Sequence, residues 1–215
     1  MDVIMFGLEA DRSKFKSDPL SYSAQGFLQW RMIESMVTNS DFDPYVPPTN
    51  EILKNPILWI SQAEALTQAA VTIIKSEPKF ENMPIHFRGI CDSQFCAIGL
   101  MLIGYSLEVT LKAMMVINHG IDGYKAIEKK NRHHRLHVLA DVVPGLTDKD
   151  KAILQGITHF VYWAGRYPDP GSGREDDASE IFSIAEENEI TAKDVFYVAS
   201  KIMAYTINVV DEKHF

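Results

Sequence analysis

The run from Ala97 to His119 constrains this chain more than any other segment. It is helical in pattern and apolar on most of its sides, carrying Ile98, Leu100, Met101, Leu102, Ile103, Leu107, Val109, Leu111, Met114, Met115, Val116 and Ile117. A helix of that kind must be surrounded by other elements, because a surface helix keeps one polar face. Ser106, Glu108 and Lys112 interrupt it. Polar groups at such positions require partners, so they mark either an inter-helix network or a site. Gly120 is placed to stop the helix, and a basic, histidine-rich loop then leads to Leu136, His137, Val138 and Leu139.

The rest of the chain reads in the same helical grammar. Residues 1–54 form an N-terminal arm, with a helix predicted from about Ala24 to Val37 and a break at Asp43-Pro44 through Pro47-Pro48. Asn55-Pro56 supplies a cap and a first-turn proline for a helix to about Lys75. Pro78 and Pro84 bound the next loop, and the central helix is expected over roughly Asp92 to Asn118. A short helix follows near Leu136 to Val143. Thr147-x-x-Asp150 resembles a capping box opening a helix through Ile153, Leu154, Ile157, Phe160, Val161 and Ala164. Gly165 and the segment from Tyr167 to Gly173 end it, and Pro168 to Asp177 reads as a mobile linker. Thr191-x-x-Asp194 opens the last helix, with Val195, Val198, Ala199, Ile202, Tyr205, Ile207 and Val209 on its apolar face. No alternating strand pattern competes. The expected fold class is all-α: an antiparallel up-and-down helical bundle of about four to five main helices over residues 55–215, preceded by the arm.

Composition narrows function mainly by exclusion. Net charge is −8, from 29 acidic against 21 basic residues, so any nucleic acid must be met by a local patch. Cys91 and Cys96 are the only cysteines. Without a second pair they read as reduced thiols rather than a zinc site, and neither a metal nor a cofactor is expected. An acid near the N-terminus replaces the positive charge of a signal peptide. Ser106, Glu108 and Lys112 come too early in the apolar run for a membrane span. The expectation is a soluble, cytoplasmic protein with no membrane partner.

Helix order and motif spacing carry a family resemblance. An amphipathic helix precedes a long one reading Tyr105-Ser-Leu-Glu108-Val-Thr-Leu-Lys112-Ala-Met; a loop then ends in His137-x-Leu139, a further helix ends Trp163-Ala-Gly-Arg166-Tyr167-Pro168, and a terminal helix follows. Over roughly Asn55 to Phe215 this resembles the HEPN superfamily of helical bundles found in higher eukaryotes and prokaryotes. The resemblance implies one of two roles. Many members are metal-independent ribonucleases, often toxins or defence proteins, with an Arg-x(4–6)-His motif brought together across a dimer. Others lack that motif and serve as binding or partner modules, some beside nucleotidyltransferases. Here Arg166 is followed by Tyr167-Pro168 with no histidine within six residues, which departs from the nuclease pattern. A matching string does occur at Arg132-His-His-Arg-Leu-His137, before the short helix. The resemblance thus implies a homodimeric, non-catalytic module for RNA, nucleotide or a protein partner such as a nucleotidyltransferase. The alternatives are a metal-independent endoribonuclease and a structural assembly module without ligand.

Candidate site residues follow from charge and position. Lys125, Lys129, Lys130, Arg132, His133, His134, Arg135 and His137 form the one positive cluster of the chain, open both to phosphate binding and to simple solvation. In a nuclease, His137 would act as general base on a ribose 2′-hydroxyl and Arg132 would stabilise charge on the phosphorane. Otherwise the His137 ring is expected to donate to a backbone carbonyl at the start of the short helix. Glu108 and Lys112 are spaced for a helical ion pair; a pairing of Glu108 with Arg166, lining a cleft with Tyr105 and Ser106, is the sharper reading. Tyr162, Trp163 and Tyr167 suit base stacking or simple core packing.

Overall fold

The computed structural model describes residues 12–43 and 45–212, without the side chain of Phe27. The acidic start of the chain and Pro44, used above, lie outside the described residues. Among the described residues every regular element is helical. The chain divides after Leu53 into two compact units.

The first unit holds α1 (Ser13–Ser17), α2 (Pro19–Thr38) and α3 (Asn50–Leu53). Asp18 caps α2 by accepting from the Ser21 amide, and Pro19 occupies the first turn. The helix therefore starts earlier than apolar periodicity alone predicts. Asn39, at φ 53°, ends it. Arg31 then fixes the returning chain, donating to the carbonyls of Val46 at 2.8 Å and Asp43 at 2.9 Å.

The second unit begins with α4 (Pro56–Lys75), capped by Asn55 through the Ile57 amide at 3.0 Å. The long α5 (Ile85–Glu128) follows. It starts just after Pro84, before the predicted Asp92, and its regular turns break at Gly120, where the stop was expected. Gly120 sits at φ 68°, ψ 171°, a conformation that only glycine adopts without strain. Helical turns then resume, because Ile121, Tyr124 and Ile127 continue to pack on the core. After these come α6 (Leu136–Leu139), a 3-10 turn (Ala140–Val142), α7 (Asp148–His159), a π-helical turn (Phe160–Ala164), α8 (Asp176–Glu187) and α9 (Ala192–Glu212). The segment expected as linker is non-helical from Pro168 to Glu175 and then enters α8. Its acidic first residues suit a helix N-terminus.

The core is built on α5. Leu107, Leu111 and Met114 are fully buried and pack with Ile153, Leu154, Val161, Val198 and Ile202. Ser106 is satisfied within this core: its hydroxyl donates to the Ala63 carbonyl at 2.8 Å and lies 2.7 Å from Thr67 Oγ1, tying α5 to α4. Gly104 is the point of closest approach. A Cβ there would fall 2.2 Å from Val161 Cγ2 and 2.8 Å from Ile157 Cγ2.

Thr147 and Asp150 form the predicted capping box on α7. Asp150 is 4% exposed and also accepts from Lys201 of α9 at 2.7 Å, so one carboxylate caps one helix and docks another. Asn50–Lys75 and α5 are both long and apolar enough to cross a membrane. In α5 the most apolar window is 67% buried within the protein, against 11% for Asn50–Lys75. The apolarity of α5 is accounted for by core packing.

Candidate functional site

The turn between α5 and α6 is pinned at three places. At its start, the amides of Lys130 and Asn131 return to the Ile127 carbonyl, and the Asn131 side chain donates to the same oxygen at 3.1 Å. At its end Leu136 is fully buried, and its amide donates to Thr158 Oγ1 at 3.0 Å. Between them His134 reaches inward to Glu108.

Glu108 is 6% exposed, and both of its oxygens are engaged. Lys112 Nζ donates to Oε1 at 2.6 Å, and His134 Nδ1 lies 2.7 Å from Oε2. A carboxylate only accepts, so the geometry puts the hydrogen on Nδ1 and leaves Nε2 as the outward nitrogen. His133 is arranged oppositely: its Nδ1 accepts from the Arg135 amide at 3.2 Å. Burial, then the Arg135 charge, holds the His133 pKa below its ordinary value. Adjacent histidines thus use Nδ1 in opposite roles, His134 as donor and His133 as acceptor.

The His134 ring meets two tyrosines edge-on, Tyr105 at 6.2 Å and Tyr162 at 6.1 Å between centroids. Tyr162 lies on the π-helical turn, where the Gly165 amide bonds to the Phe160 carbonyl five residues back. The Arg174 guanidinium lies 4.5 Å from the centre of the Tyr162 ring and pairs with Asp177.

The structure distributes the predicted site residues as follows. Tyr105, Glu108 and Lys112 come together around His134. Lys129, Lys130, Arg132 and Arg135 are exposed on the turn. Arg132 lies 4.0 Å from Glu128. That carboxylate is held below its usual range chiefly by a hydrogen bond from Lys54, at 2.9 Å.

Arg166 does not reach Glu108. It is exposed, donates to the Tyr162 carbonyl of its own helix and lies over the Tyr167 ring. Among the described residues Glu108 pairs with His134 and Lys112 instead. The pinned turn delivers His134 to the buried carboxylate, while Arg166 is engaged at its own helix end.

No described contact joins Arg132 to His137. His137 Nδ1 is buried and makes no hydrogen bond, so the expected bond to a backbone carbonyl is not formed through it. Burial, then the charge of Arg135, pushes the His137 pKa down. Nearby, His159 Nε2 lies 3.4 Å from Glu180 Oε2, and Gln155 donates to the other oxygen of Glu180 at 2.8 Å, joining α7 to α8. Among the described residues no three His, Cys, Asp or Glu side chains form a metal-binding group. Cys91 and Cys96 are free thiols on α5, and Cys96 is exposed.

His134 as the partner of Glu108, and Arg174 as the partner of Tyr162, are the residues that sequence reasoning passed over. His134 was visible only as one of three histidines between residues 133 and 137. Arg174 stood in a segment read as linker. No family model, curated protein or solved structure matches this chain.

Proposed function

We propose that residues 54–212 form a HEPN-like, antiparallel up-and-down bundle acting as a phosphate-recognising partner module, binding RNA or a nucleotide through the turn between α5 and α6. One observation carries this reading. The turn is fixed to the buried Glu108 through His134, which leaves Lys129, Lys130, Arg132 and Arg135 exposed on an ordered support. A basic surface with its backbone already ordered loses little entropy on meeting a phosphate chain. In an acidic protein it also concentrates the positive field at one place. A cytoplasmic homodimer working in prokaryotic defence, beside a nucleotidyltransferase or another protein, is the setting that the family resemblance supports. The test is fluorescence anisotropy with labelled single-stranded RNA at rising salt. Binding should weaken steeply with salt, and removing the four turn charges should flatten that slope. Salt-independent binding, or none at low salt, would remove the proposal.

A metal-independent ribonuclease is the second reading, and a specific feature favours it. A histidine oriented by a buried carboxylate, with its other ring nitrogen turned outward, is the arrangement of a general base. That histidine is His134, in place of the His137 expected from the motif. RNA cleavage in EDTA, lost in His134→Ala and kept in His137→Ala, would establish it over the binding module.

A further inference from the structure

Beside the basic turn lies a cleft of about 320 Å³ lined by Tyr162, Trp163, Tyr167, Asp169, Pro170 and Arg174, with the Gly171 backbone. Its size falls at the lower end of small-ligand pockets. Its walls are unusual for a helix end. Trp163 is buried at 7% exposure, yet the tyrosines on either side stay open, Tyr162 at 47% and Tyr167 at 59%. Tyr162 lies on the π-helical turn and Tyr167 lies three residues beyond it, and both side chains are exposed. Gly165 permits the turn, since a Cβ there would fall 2.4 Å from Met101 Cβ.

Charge around the cleft is mixed, but the cations lie against the rings. Arg174 is 4.5 Å from the Tyr162 centroid and Arg166 is 5.5 Å from that of Tyr167. The acids are already engaged: Asp169 Oδ1 accepts from the Gly171 amide at 2.8 Å, and Asp177 pairs with Arg174. Aromatic faces and guanidinium groups together form a stacking surface for nucleobases, with arginine edges left for phosphate. The Tyr162 ring also meets His134, so this surface and the pinned basic turn share a boundary.

We propose that the cleft between Tyr162 and Tyr167 holds a base of single-stranded RNA, whose adjoining phosphates lie on the turn at His134 and Arg135. This rests on the phosphate-recognising reading above and adds the base-binding element to it. Stacking of this kind tolerates any base but requires one, so the ligand is a single strand with unpaired bases rather than a duplex.

The experiment compares a labelled short RNA with the same strand lacking its bases, using wild type, Tyr167→Ala, Tyr167→Phe and Arg135→Ala. RNA should bind wild type more tightly than the abasic strand. Tyr167→Ala should weaken RNA binding by roughly 5- to 150-fold, the range for loss of one stacked base, and leave the abasic strand unaffected. Tyr167→Phe should retain affinity, because the ring is the working part. Trp163 fluorescence should change on binding of RNA only. Unchanged RNA affinity in Tyr167→Ala, with weakened affinity in Arg135→Ala, would overturn the cleft and keep the phosphate-binding turn. No binding of either strand at low salt would overturn both. Tyr167 is an exposed side chain, so its replacement leaves the core intact.

Discussion

Replacing Glu108 probes the network on which the basic turn depends. The carboxylate is 6% exposed, and each oxygen serves one donor, Lys112 at 2.6 Å and His134 at 2.7 Å. In Glu108→Gln one oxygen survives, while the amide NH2 must face one of the two donors. Stripping one partner from a buried ion pair costs about 3–5 kcal/mol. Here the side chains of Lys112 and His134 remain 16% and 36% exposed, so water recovers part of that loss. The lower end applies, about 3 kcal/mol. For a domain of this size each kcal/mol moves the melting temperature by about 2–4 °C, giving a drop of about 6–12 °C. Urea unfolding at neutral pH, followed by helical circular dichroism, measures it, and an unchanged slope would confirm a like-for-like comparison. The companion variant Glu108→Met with Lys112→Met removes both buried charges together. Well-packed apolar replacements of an ion pair are often neutral, so most of the loss should return, while His134 turns to water. A Glu108→Gln protein within about 0.5 kcal/mol of wild type would refute the account of the site as a network held by one buried carboxylate.

Three further outcomes are expected. Gly104→Ala should lower stability by about 1–3 kcal/mol by forcing Val161 and Ile157 away from α5; an unchanged melting temperature would contradict the close approach. His137 has a folded pKa below its unfolded value of about 6.5. Its contribution is therefore complete above that pH and declines as acid protonates it. The gap between urea midpoints at mildly alkaline and mildly acidic pH should narrow in His137→Asn; an equal gap would contradict this. Asp150 is held below its ordinary pKa: burial raises it, but hydrogen bonds from Lys201 and Thr147 outweigh that effect. Its stabilisation is present above about pH 3.9 and disappears as pH falls through the lower folded value. Lys201→Met should therefore show a smaller acid loss on titration by circular dichroism, and an identical loss would rule out the Asp150–Lys201 link.

Local signals were legible wherever the physics was local. Asn55-Pro56, Thr147-Asp150 and Thr191-Asp194 announced helix starts because a capping side chain bonds to an amide only two or three residues away. The Glu108–Lys112 pair was legible for the same reason, since helical geometry alone brings i and i+4 together. Helix α8 was missed because the glycines, prolines and acids before it mask its periodicity in Ile181 and Ile184.

What the residues determined by themselves was the all-α fold class, the capped helix starts, the stop at Gly120 and the burial of the central helix. All of these follow from backbone conformation and apolar spacing within a few turns. Which histidine meets Glu108 was decided only in three dimensions. His133, His134 and His137 are equivalent as chemistry; the anchors at Ile127 and Thr158 select the second by fixing the path of the turn. The same holds for the open tyrosines beside the π-helical turn, where Gly165 packs closely against Met101. Contacts separated by tens of residues depend on the summed packing of every intervening element, and no spacing rule within one helix contains that sum.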